Sequence, residues 1–198
     1  MKIATNARYE GWSKMFGGRS DLMKKCSGEA FRLVNLEFID PSDILSGKGS
    51  FFNGGRWNAP KTFRAVYAST TVATAAEEAN SIANRYGLTA AVLRPRLHVA
   101  IRYELERVVD FTDPVVCTAF EVTPEELRAD DWRMAQASGC ESLTQALGRV
   151  AFDHGAECLL VGSARVANGI NVVCFPESLG PHNMIQIVGE DEIRKHMR

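Results

Sequence analysis

The side chains best suited to chemistry are scattered along the chain. Gly49–Asn58 holds three glycines, a guanidinium, an indole and two amides within ten residues. The Gly54-Gly55 pair permits backbone conformations closed to other residues and a close approach to a ligand. Arg56 is a planar five-donor fork suited to phosphate or carboxylate. Trp57 offers a flat face for a ring, and Asn58 a donor and an acceptor. The stretch is read as a ligand-binding loop rather than a linker, although a glycine pair also makes ordinary turns and tryptophan often belongs to a core. Arg32 lies between the apolar Phe31 and Leu33. Burying it alone is costly, so it needs an anionic partner unless its strand is at an edge. Ser163 follows an apolar run, and no histidine and acid accompany it to activate a nucleophile.

These residues need elements to carry them. Phe31–Asn35 alternates as a short strand, and Ala65–Ala68 reads as another. Between them, Ile39–Ile44 is a turn leading into the glycine-rich stretch. Ser69-Thr70-Thr71 supplies N-cap candidates for a helix from about Val72 to Arg85, ending near Gly87. Its apolar stripe is Val72, Ala75, Ala76, Ala79, Ile82 and Ala83. At ~100° per residue Glu77 faces water, whereas Glu78 falls at the edge of the stripe beside Ala75 and Ile82. Either can also be an ordinary solvated helix charge.

Residues 91–111 read as β-rich, with Leu97, Val99, Ile101, Tyr103 and Leu105 alternating. Thr123-Pro124-Glu125-Glu126 combines an N-cap, a proline at N1 and a capping box. A further helix runs from about Ser142 to His154, with Leu143, Ala146, Leu147, Val150 and Ala151 on one face. Strands follow at Cys158–Val161, Asn171–Phe175 and about Ile185–Val188. Strands with helices between them imply an α+β domain. Residues 1–28 are polar and weakly periodic. They read as an exposed lead-in with room for a short helix, before one domain over 29–198.

Composition narrows the function. At 198 residues, with 45% hydrophobic and 24% charged residues, the chain is of ordinary globular type. A net charge of -1 argues against bulk electrostatic binding of nucleic acid. No apolar run reaches membrane-spanning length, and the N-terminus lacks the apolar core of a signal peptide. The five cysteines form no CxxC pair and the four histidines no ligand spacing, so neither a disulfide framework nor a metal site is expected. The setting implied is reducing and cytoplasmic.

The order of these features resembles the RES domain family, toxins of bacterial toxin–antitoxin pairs that act on NAD. The likeness rests on Phe31-Arg32, on Gly49-Ser50 through Gly54-Gly55-Arg56-Trp57-Asn58, and on Val66-Tyr67. It continues with Ala75 and Glu78, Asp131-Trp132, Thr144-Gln145, Gly162-Ser163 and Asn171–Pro176. The family is named for an Arg, a Glu and a Ser, which by position resemble Arg32 or Arg56, Glu78 and Ser163. Two departures are visible. Gly162 precedes the serine where the family usually has proline, and the Glu77-Glu78 doublet leaves the register open by one residue, with the spacing from Tyr67 and the helix face favouring Glu78.

The resemblance implies a single domain similar to the ADP-ribosyltransferase (diphtheria-toxin-like) fold, with a mixed β-sheet core and flanking helices. It implies NAD as substrate, cleaved at the nicotinamide–ribose bond by phosphorolysis or hydrolysis. The alternatives are ADP-ribose transfer to a cellular protein, or a catalytically silent partner-binding module. A separately encoded helix-turn-helix antitoxin is implied as partner. Expulsion of a cationic ring needs no general acid, and one carboxylate can stabilise the oxocarbenium-like ribose. Glu78 fits that role. Arg32 and Arg56 suit the pyrophosphate, Tyr67 the nicotinamide or a ribose, Ser163 a phosphate or the support of Glu78, and Asn58 a weaker cofactor contact.

Overall fold

The computed structural model describes residues 3–85 and 95–196. Its frame is two long strands, β1 (Met23–Asn35) and β3 (Arg96–Asp110), paired antiparallel along nearly their whole length. Beyond them, β2 (Val66–Ser69) pairs with β1 at Phe31 opposite Ser69, and with β5 (Ile170–Cys174) from Val66 opposite Cys174 to Ser69 opposite Asn171. β4 (Cys158–Gly162) joins β5 antiparallel and β3 parallel. β6 (Met184–Ile187) adds to β3. The sheet order is β1-β2-β5-β4-β3-β6, and the pairing of β1 with β3 closes it on itself. One parallel pair among antiparallel ones makes the sheet mixed, and with helices around it the expected α+β class holds.

The helices fill the connections. They are α1 (Tyr9–Phe16), α2 (Pro41–Ile44), α3 (Lys48–Asn53), α4 (Val72–Arg85), α5 (Pro114–Ala119), α6 (Pro124–Ala129), α7 (Trp132–Ala137), α8 (Leu143–Asp153) and α9 (Glu190–His196). α6 starts with the capping box expected of Thr123 and Glu126, and α8 starts with a second one from Ser142 and Gln145. None of the described helices is long and apolar enough to cross a membrane.

Strand alternation feeds two apolar clusters, one on each face. Val109, Leu159 and Val173 join α1, α5 and α8 in the first, around Phe16, Phe111, Phe120 and Phe175. Their chain neighbours Val108, Cys158 and Val172 face the second, with Ala30, Val99, Ile101, Tyr103 and Leu105.

Four expectations need correction. The lead-in is not an exposed segment: α1 buries Trp12 and Phe16, four residues apart and so on one face, and the Trp12 indole donates to Phe120 O at 2.8 Å. The strand expected at Phe31–Asn35 begins eight residues earlier, at Met23, because β3 supplies backbone partners from Val109 onward. A bulge between Lys24 and Cys26 breaks the alternation there and hides the strand from a period-two reading. The loop expected over 49–58 is helical in its first half as α3, and the turn expected at Ile39–Ile44 contains α2, capped by the Asp40 side chain. The expected helix end at Gly87 and the β-rich reading of 91–94 lie outside the described residues.

Candidate functional site

Arg32, Arg56, Tyr67 and Glu78 line one cavity of about 720 Å3, a size ordinary for small-molecule sites. β1 and β2 meet at a single residue pair, Phe31 opposite Ser69. The cavity is bounded by residues on both sides of that junction, by α4, by the turn after α3 and by α7. Among the described residues, four arginines (32, 56, 133 and 165) and one carboxylate, Glu78, are on its wall. That balance favours an anionic ligand.

Glu78 reaches the cavity because of helix geometry. Ala75, Glu78 and Ala79, at i, i+3 and i+4 of α4, all line it. Glu77 is exposed and lies on a neighbouring hollow instead. Thr71 Oγ1 accepts from the Thr74 N–H at 3.1 Å, so one of the three N-cap candidates caps this helix. Ser163 donates to Glu78 Oε1 at 2.6 Å, and Asn171 Nδ2 donates to the same oxygen at 2.8 Å. Ser163 Oγ accepts in turn from the Arg165 and Val166 N–H groups at 3.0 Å each, and Ser69 Oγ donates to Asn171 Oδ1 at 2.7 Å. The serine therefore holds the carboxylate, and no histidine among the described residues is bonded to it as in a nucleophilic triad.

The glycine-rich turn is fixed from three sides. Gly54 has φ +73°, and a Cβ on Gly55 would stand 2.4 Å from Tyr67 Oη. Both glycines are required, the first for its backbone conformation and the second for close approach. The Tyr67 hydroxyl donates to Asn58 Oδ1 at 2.7 Å and accepts from the Trp57 N–H at 3.0 Å. From α8, Gln145 Nε2 donates to Gly55 O at 3.1 Å and Thr144 Oγ1 is 2.6 Å from Arg56 O. A Cβ on Gly148 would stand 1.8 Å from Trp57 O, so α8 lies directly against the turn's backbone.

The arginines are partly withdrawn from water. Arg32 donates to Tyr67 O at 3.0 Å, and burial pushes its guanidinium below the usual value, opposed by Tyr67. Arg56 donates from one terminal nitrogen to Leu127 O and Asp130 O, 3.0 Å each. Burial lowers its pKa as well, against the opposing charges of Asp130 and Glu78. Burial pushes the Tyr67 phenol far up, so it stays neutral and keeps its proton for Asn58. Neither arginine has a side-chain ion pair among the described residues, so the anionic partner expected for Arg32 is not a residue described here.

One expected contact changes character. Asn58 does not line the cavity: it is fully buried, and its amide nitrogen donates to Ser50 O and Phe63 O at 3.0 and 3.1 Å. Its side chain holds the turn and Tyr67, because a loop buried against a core must satisfy its own carbonyls. Trp57 borders the cavity but is 2% exposed and stacks on Phe111 at 5.5 Å, in keeping with the tryptophan's reading as a core residue. Arg133, Gln136 and Arg165 were not anticipated; they reach the wall from α7 and from the turn after β4. A basic residue two positions beyond Ser163 was the only local sign of Arg165. Gln136 Nε2 donates to Asn53 O at 3.0 Å and its Oε1 accepts from Gln145 at 3.0 Å, tying α7 to α3 and α8. Among the described residues no group of three or more His, Cys, Asp or Glu could hold a metal ion.

The family model described as the RES domain matches residues 29–192. Curated proteins named NAD(+) phosphorylase MbcT, from Mycobacterium bovis and Mycobacterium tuberculosis, are 32% identical over 125 residues. That alignment covers 62% of this chain and 62% of theirs. The crystal structure of the M. tuberculosis MbcT–MbcA toxin–antitoxin complex contains a chain of similar fold, with a TM-score of 0.67 and 22% identity over 93% of this chain and 97% of that one.

Proposed function

We infer that this chain, which belongs to the RES domain family, is the toxin of a toxin–antitoxin pair and degrades NAD by cleaving its nicotinamide–ribose bond. The observation that carries the reading is the convergence of Arg32, Arg56, Tyr67 and Glu78 on one cavity, with Ser163 and Asn171 holding Glu78. The name of the curated relatives supports phosphate as the acceptor of the ADP-ribose.

Each role follows from a side chain. The leaving nicotinamide takes the electron pair of the C–N bond and departs neutral, so no acid is required. Positive charge grows on the ribose, and Glu78 stabilises it. Its two donors fix it in place without a rearrangement during reaction. Arg32 and Arg56 take the pyrophosphate, each charge-assisted bond contributing about 1.5–3 kcal/mol. Tyr67 offers its ring, since its hydroxyl is engaged with Trp57 and Asn58. Asn58 and Ser163 act through Tyr67 and Glu78. The unit takes in residues 29–198 together with α1 and the first half of β1, which pack into the same fold. It works in the cytoplasm beside its substrate, with a separate antitoxin of helix-turn-helix type as partner.

Incubation of the protein with NAD, with and without inorganic phosphate, followed by separation of products, tests this. Release of nicotinamide with ADP-ribose 1-phosphate in phosphate, and with ADP-ribose in its absence, is expected. Intact NAD in both reactions overturns the reading, and label from NAD recovered on protein moves it to ADP-ribose transfer.

A further inference from the structure

Arg165 has no task in the mechanism above. It is exposed, and its guanidinium makes no hydrogen bond or ion pair among the described residues. Its own N–H is bonded to Ser163 Oγ, the oxygen that donates to Glu78, so the root of its side chain is fixed one residue contact from the carboxylate. Beyond it lies a second hollow of about 540 Å3, and Arg56, Trp132, Arg133 and Arg165 line both spaces.

The shared wall is short of negative charge. Arg56 uses one terminal nitrogen on Leu127 O and Asp130 O, and its remaining N–H groups have no protein acceptor among the described residues. Burial is the largest influence on its pKa and lowers it; Asp130 and Glu78 oppose it, and the positive charge of Arg165 adds to it. Two such cations side by side repel unless an anion comes between them. Of the acids lining the hollow, Asp130 Oδ2 is bound to the Thr144 N–H and hydroxyl, Asp131 Oδ1 caps α7 at the Met134 N–H, and Glu77 is exposed at its rim; none of the three lies on the wall shared with the larger cavity.

We infer that this smaller hollow seats the acceptor, an inorganic phosphate held by Arg165 together with Arg56, and that Arg165 selects phosphate over water. The acceptor role rests on the NAD-cleaving reading. The chemistry favours such a seat. A phosphate dianion carries its own nucleophilic oxygen: that oxygen bonds to the anomeric carbon as the bond to nicotinamide breaks, and no proton has to be removed. Water must lose a proton to a base, and Glu78, the one carboxylate among the described residues of the larger cavity's wall, has its Oε1 committed to Ser163 and Asn171. A cationic seat that shares Arg56 and Arg165 with the cavity holding Glu78 therefore raises the local concentration of the acceptor that needs no base.

Titration of the full chain with inorganic phosphate alone, followed by calorimetry, tests the seat. Arg165→Ala should weaken phosphate binding roughly 10- to 100-fold, the value of one or two charge-assisted hydrogen bonds. Arg194→Ala removes a surface charge paired with Glu190 and should leave binding unchanged. In reactions with NAD, Arg165→Ala should raise the KM for phosphate by a similar factor, keep the KM for NAD within about twofold, and shift product toward ADP-ribose. Unchanged phosphate binding in Arg165→Ala, or a KM for NAD that rises along with that for phosphate, overturns the proposal. A wild type that binds phosphate through Arg165 but leaves NAD intact overturns the acceptor role and the cleavage reading, while the anion site stands.

Discussion

Glu78 illustrates how far one side chain can be placed from sequence. Helical spacing alone separates it from Glu77, and the structure puts the first on the cavity and the second on the neighbouring hollow. Arg32→Ala should raise the KM for NAD roughly 10- to 100-fold with a smaller change in kcat, because binding of the pyrophosphate is retained through the reaction. Lys25→Ala, which removes an exposed charge paired with Glu106, should leave both constants unchanged. Asn58→Ala belongs to a different class. It orphans the Phe63 carbonyl and the Tyr67 hydroxyl proton and removes one of two donors from Ser50 O, and should destabilise the fold by about 1–3 kcal/mol, measured by denaturant unfolding. Asn58 was readable as a polar residue of a special loop but not as a buried one, since its partners are decided by how that loop packs. Arg165 and Gln136 left still less trace. Each reaches the wall from a short element with no periodicity of its own.

At the scale of elements, the site depends on α8 pressing against the glycine-rich turn. Gly148 makes that contact possible, with no room for a Cβ beside Trp57 O. Gly148→Ala forces backbone apart, so a loss of about 1–3 kcal/mol or more is expected, together with weaker NAD binding as the turn shifts. In sequence Gly148 is an unremarked gap in a clear apolar stripe; the stripe revealed the helix but not the neighbour that needs the gap. The same holds for α1. Its two buried aromatics, Trp12 and Phe16, are too few to stand out in a polar segment, yet they pack against Phe120. Trp12→Ala should destabilise by about 3–5 kcal/mol, read as a lower thermal midpoint, which would mark the lead-in as part of the folded unit. The capped helices α6 and α8 and the alternating β3 were legible because their signals are local.

For the whole molecule, closure of the sheet brings residues separated by more than a hundred positions to one place, as Asn171 and Ser69 are joined by a hydrogen bond. Its far end is held by Glu157, fully buried behind the hairpin of β4 and β5. Burial alone would raise this carboxyl, but the N–H groups of Glu106, Arg107 and Gly180 and the Asn183 amide outweigh it and hold its pKa below the ordinary carboxylate value. Burial opposes ionisation of Asp110 too, and Lys24 and Thr112 outweigh it. Both folded pKa values lie below the unfolded ones, near about 4, so the unfolded chain binds more protons in acid. The stability these groups contribute is present above that range and is lost as pH falls through the folded values. Denaturant midpoints should drop below about pH 4, and Glu157→Gln should flatten that fall while lowering stability at neutral pH. The central claim is that Glu78 turns over NAD bound between Arg32 and Arg56. Nicotinamide release measured beside NAD binding, for wild type and Glu78→Gln, tests it most directly. Retained binding with turnover lost in the variant is expected, and equal turnover by the two proteins contradicts it.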